Sequence, residues 1–235
     1  TYGTSTVVFA ANGTITTPGA YNASYLYALT VNNGITLTMA TSLGMANDAI
    51  IGGAGGGTIA ESGGHYRFRV VGNFSVGAGV TGISPALQWS NAVAVTLPAI
   101  TYGGVIFDGV GSVTAATGTI TVNNDDPGFS DSFYLNGTFN LGTNTLTFSG
   151  VTQPLYVDGS GILVASSGTV NAVSVNISAA GSYITSAVAG SWTVSGAWTN
   201  NSTSASWSFA APITFNSATG GTMTFAGANL AGAEF

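Results

Sequence analysis

The side chains with the most chemical capability sit close together. The stretch "GGHYRFRVV", residues 63 to 71, holds His65, Arg67 and Arg69, the one histidine and both arginines of a chain that has no lysine. Histidine moves protons near neutral pH, and arginine grips carboxylates through a planar fork that keeps its charge. Spaced at every second residue, the three would share one side of a β-strand, with Tyr66, Phe68 and Val70 on the other. The apolar set reads as the core side. The basic set then either faces water as an ordinary polar exterior or forms a strip that pairs with Asp125, Asp126 or Asp131, within the chain or across an interface.

Catalytic chemistry finds little else to use. A Ser-His-Asp triad would have to employ His65, and no G-x-S-x-G elbow occurs; the nearest string, "VDGSG" from Val157, has Asp158 where the first glycine should stand. Schiff-base chemistry lacks its lysine. Asp125 and Asp126 are adjacent in a turn before Pro127, a poor setting for the facing carboxylates of a glycosidase. The chain therefore reads as no enzyme and as needing no cofactor. "NNDDPGFSD" supplies Asn123, Asp125, Asp126 and Asp131 as hard oxygen donors, a weak calcium candidate without EF-hand spacing, so a solvated turn is favoured. The glycine run from Gly52 to Gly57 lacks the Lys-Ser/Thr ending of a phosphate loop and reads as a surface loop.

The elements that must position these residues belong to a chain with an unusual surface. Charged residues make up 4% of it, against roughly a quarter in ordinary soluble domains. Its 25 Ser, 32 Thr, asparagines and backbone must face water instead. The net charge of −6 comes with no basic patch, which excludes counterion-driven binding to nucleic acid and disfavours anionic membrane surfaces. The absence of cysteine excludes disulfides and thiolate metal sites. Gly, Ser, Thr and Asn break every apolar run before the ~18 residues of a membrane-spanning helix. No charged and apolar leader stands at Thr1, so a secretory signal is expected to have been removed already.

Alternation of β-branched and aromatic residues with polar ones dominates, as in "TITVNN" from Thr119, "VSVNIS" from Val173 and "SWTVSGAW" from Ser191. Turn strings such as "NNG" at Asn32, "GTN" at Gly142 and "DGSG" at Asp158 separate the runs. The pattern predicts an all-β fold, an antiparallel β-sandwich, single or as two stacked units. An extended N-terminal strand would occupy 1–12, a first part 13–122 and a second part 123–235. No fixed period stands out, which counts against a β-helix. The clearest predicted hairpin joins Ser191–Trp198 to Ser204–Phe209, so that Trp192, Val194 and Trp198 meet Trp207 and Phe209 in the core.

Seven N-x-[ST] sequons, at Asn12, Asn22, Asn73, Asn136, Asn176, Asn200 and Asn201, mark candidate N-glycans that would hydrate such a surface. With no lysine and only six prolines to guard its edge strands, the chain would pair edge to edge with its own copies. The lysine-free, Ser/Thr/Gly/Asn-rich composition and the uncharged start "TYGTSTVVFAAN" resemble extracellular filament subunits of thermophilic archaea, the thread and bundling-pilus class. The resemblance implies β-sandwich subunits joined by donor-strand complementation into a head-to-tail homopolymer at the cell surface, for adhesion or cell–cell contact. Residues 4 to 11, with Thr4, Thr6, Val7, Val8, Phe9, Ala10 and Ala11, would be the donor segment, and some of the sequons would carry glycans. The alternative is a secreted monomeric β binding module for carbohydrate or ice, using Trp89, Trp192, Trp198 or Trp207 as a platform or Thr-rich strands as a flat face. An outer-membrane barrel, hinted at by the terminal Phe235, fits poorly with so little charge.

Overall fold

The computed structural model describes residues 4–17, 25–90, 94–123, 132–217 and 220–225. In it the chain winds as a parallel β-solenoid of about nine turns. Each turn lays short strands on three faces. The first face starts with Thr6–Phe9, Ala28–Val31, Ala49–Ile51 and Phe74–Val76, and later takes Ile162–Ser166 and Tyr183–Ser186. The second runs from Gly13–Ile15, Thr36–Met39 and Thr58–Glu61 to Thr119–Val122, Thr145–Phe148, Thr169–Ala172, Ser191–Val194 and Ile213–Phe215. The third includes Leu43–Met45, Arg67–Val70, Leu155–Val157, Val175–Ile177, Trp198–Asn200 and Met223–Phe225.

This overturns the antiparallel β-sandwich. All pairings between the named strands are parallel, and the one antiparallel contact among the described residues is the isolated bridge Gly53–Gly56. Alternation ordinarily marks antiparallel sheets because parallel ones are covered on both sides. In a solenoid each face is covered only from within, by the other two faces, so parallel strands keep the in-out pattern. The turn strings are corners: "NNG" at Asn32 links Ala28–Val31 on the first face to Thr36–Met39 on the second. No fixed period shows in the sequence because the turns are unequal. Thr101 pairs with Thr121, 20 residues on, whereas Thr119 pairs with Thr145, 26 residues on.

The inward positions stack into files that make one continuous core. Ile120, Leu146, Val170 and Trp192 follow each other on successive turns, as do Phe133, Leu155, Val175 and Trp198, all 1% exposed or less. Each such side chain contributes roughly 1.5–3 kcal/mol by leaving water. The expected hairpin near the C-terminus does not form. Ser191–Val194, Trp198–Asn200 and Ser208–Phe209 pair instead with the preceding turn. Its aromatic residues still converge, as three walls of one turn: the Trp192, Trp198 and Phe209 rings lie 5.3 to 5.5 Å apart, and Trp207 stacks on Phe209.

Thr6–Phe9 pairs in parallel with Ala28–Val31 of its own chain, Thr6 beside Ala28 and Phe9 beside Val31. The proposed donor segment is thus part of the first turn and not an extended tail. Strand pairing also crosses the expected boundary near residue 123, since Thr119–Val122 pairs with Thr145–Phe148. The long strand Thr101–Ala115 rounds two corners without a loop, helped by a register shift between Asp108 and Ser112. Its Gly103 is obligatory in a steric sense, because a Cβ there would lie 1.7 Å from the Ser84 carbonyl oxygen.

Candidate binding face

The second face carries two files of short polar side chains. In one, Thr119, Thr145, Thr169 and Ser191 stand side by side on four successive turns. In the other, two residues further along each strand, the file is Thr101, Thr121, Thr147, Asn171, Thr193 and Thr214. Neighbouring strands lie ~4.7–4.9 Å apart and alternate side chains ~6.6 Å apart, so the two files form a nearly rectangular net. Thr119, Ser191 and Thr214 are exposed and the others half-buried.

Several features keep the net regular. From Thr119–Val122 to Ile213–Phe215 the register runs without a shift, whereas strands on the other faces slip at Asp108/Ser112 and Val164/Ser166. The residues between the files point inward and are anchored in the core: Ile120, Leu146, Val170 and Trp192. Threonine is stiff at χ1, which holds its hydroxyl and methyl in place. At the corner leading into this face, Asn144 accepts from Gly118 N at 3.0 Å and donates to the Leu141 carbonyl at 2.8 Å, tying one turn to the next. Gly142 in that corner has φ +68°, a conformation glycine adopts without strain.

The net is uncharged: no Asp, Glu, Arg or Lys occurs in the four strands from Thr119–Val122 to Ser191–Val194. Thr169 Oγ1 and Ser191 Oγ are 3.1 Å apart, and Asn171 Nδ2 donates to Thr147 Oγ1 at 3.3 Å. A hydroxyl has one donor and two acceptor sites, so these links leave capacity for outside partners. At its upstream end the second file reaches Gly82, which pairs with Thr101. The missing side chain leaves a shallow polar hollow of about 440 Å³ lined by Thr58, Thr81, Ser84, Thr101 and Asn123. Beneath this end lies Tyr102, fully buried, its hydroxyl donating to the Pro98 carbonyl at 2.8 Å. Burial pushes its phenol well above the ordinary tyrosine range.

The basic strip is divided by the fold. Phe68 and Val70 face the core as expected, and Arg67 and Arg69 lie on the outer side of Arg67–Val70. Arg67 is nevertheless only 6% exposed, while Arg69 is half-buried and its Nε donates to Ser90 Oγ at 3.3 Å. His65 precedes the strand, its Nδ1 3.8 Å from Glu61 Oε2, and Glu61 also accepts from the Tyr66 backbone N–H. Asp125, Asp126 and Asp131 lie outside the described residues. Among those described, no three metal-binding side chains gather. At the "VDGSG" string, Asp158 accepts from Ser178 and, at 3.4 Å, from the Tyr134 hydroxyl, while Ser160 turns to Asn136. Trp89, Trp192 and Trp198 are buried to 1%, which removes them as a platform; Trp207 is partly buried.

Of the sequons, Asn22 lies outside the described residues. Asn12 and Asn73 are exposed, Asn136, Asn176 and Asn201 half-buried, and Asn200 is buried, its Oδ1 accepting from Ser202 N at 2.9 Å. Asn12 Oδ1 accepts from Thr36 N at 2.8 Å and so also braces the second face. No helix among the described residues is long and apolar enough to cross a membrane.

No protein-family model, curated protein or solved structure matches this chain. The sequence suggests Thr-rich strands as a flat face but not which residues form it, because the net exists only once the register is known. Its signal is the recurring triplet "TIT", "TLT", "TVN" and "SWT" at residues 119, 145, 169 and 191.

Proposed function

We propose that the chain is a secreted, non-catalytic binding module that acts by contact, its second face docking on a repeating, uncharged surface. The two hydroxyl files carry this reading. Single hydroxyl contacts are weak in water, about 0.5–1.5 kcal/mol net. A row of them at fixed spacing gains strength only against a partner that repeats as well, because the first contact then places the rest. Dissolved polyanions have no charge to grip there. A glycan at exposed Asn73, beside the first-face strand Phe74–Val76, would hydrate another part of the surface. Retention on insoluble repeating materials tests the reading, with chitin and cellulose recovered as pellets and ice separated from the liquid. The protein is expected to be retained by one of them and released by Thr147→Lys, which puts a hydrated charge in the centre of the net. Uniform filaments that form equally well with Thr147→Lys would replace it with the filament-subunit reading.

A further inference from the structure

We infer that the repeating surface is crystalline water, which rests on the second face being the docking face. The argument begins with spacing. Water molecules linked by O–H···O bonds of ~2.75 Å at the tetrahedral angle have second neighbours ~4.5 Å apart. The strands of the net repeat at ~4.7–4.9 Å, so each turn lies within a few tenths of an ångström of one step of a tetrahedral water lattice. The net extends over four full turns in unbroken register, long enough to hold a patch of that lattice.

The chemistry of the face points to the same occupant. Each threonine offers a hydroxyl that both donates and accepts, as water does, and a methyl that keeps loose water away. Nothing on the four strands carries charge, which would hold a hydration shell unlike ice. A crystalline polysaccharide presents the C–H faces of sugar rings, which aromatic side chains cover. The one aromatic residue flanked by these files, Trp192, points inward and is 1% exposed. The buried file beneath holds the threonines in their places before any contact, so little ordering remains to oppose adsorption.

The test is partition into ice grown slowly from a stirred solution, with ice-crystal shape viewed by microscopy. The full chain is compared with Thr147→Lys and with Thr185→Lys on the first face, each first shown by circular dichroism to keep its β spectrum. The wild type and Thr185→Lys should concentrate in the ice and facet the crystals. Thr147→Lys should be excluded like an ordinary globular protein. Wild type excluded from ice but held by chitin or cellulose through the second face would overturn the ice inference and leave the docking face standing. Retention by none of these materials would remove both. Equal enrichment of Thr147→Lys would take ice binding away from this face.

Discussion

Leu146 and Thr147 are neighbours in sequence that answer to opposite demands. Leu146 is fully buried between Ile120 and Val170, so Leu146→Ala should cost about 2–5 kcal/mol in urea unfolding. Thr147→Val, on the outer side, should change stability by less than ~0.5 kcal/mol while weakening surface binding. Tyr102 gives a pH prediction with a definite sign. Its folded pKa is raised, so the buried phenol stays protonated while the unfolded chain ionises near ~10. Stability should be unaffected by this group below that pH and fall as pH rises above it, and Tyr102→Phe should reduce the alkaline slope in unfolding titrations. Single residues were partly legible in the sequence. The apolar partners Phe68 and Val70 and the core tryptophans are where alternation puts them, but the burial of Arg67 depends on neighbours brought in from distant parts of the chain.

At the scale of elements, the sequence shows strands and corners clearly and their pairing hardly at all. "TLTF" reads as a strand because of its alternation, and it is one. Whether it pairs with the next strand or with one 24 residues away is decided by how three faces close around a core, which no local pattern reports. The close approach of backbones is equally silent. Gly103→Ala should destabilise far more than Gly109→Ala: the first forces a Cβ against the Ser84 carbonyl, whereas Gly109 has open space and only the strain of φ +69°. Thermal unfolding of the two variants measures the difference, and equal losses would count against the packing of Thr101–Ala115 on Gly82–Trp89.

For the whole molecule, each turn touches chiefly the turns before and after it, so stability is local and additive along the axis. Inward residues of the middle turns, such as Phe107, Leu135 and Leu163, are fully buried, whereas Val7, Phe9, Phe215 and Met223 on the outermost described turns are half-buried. Amide hydrogen exchange should therefore be slowest in the middle and fastest at both outer turns. The function proposed here depends on one thing above all, the parallel register that sets the hydroxyls side by side. A chain without cysteine permits a direct measurement, the rate of disulfide formation in cysteine pairs, because adjacent parallel strands fall within the ~4.4–6.8 Å Cα range that a disulfide accepts. Thr121→Cys with Thr147→Cys, and Thr147→Cys with Asn171→Cys, should oxidise readily to intramolecular disulfides. Thr121→Cys with Leu146→Cys, on opposite sides of the sheet, should not. Cross-linking of that last pair, or of none, would contradict the register and the binding face with it.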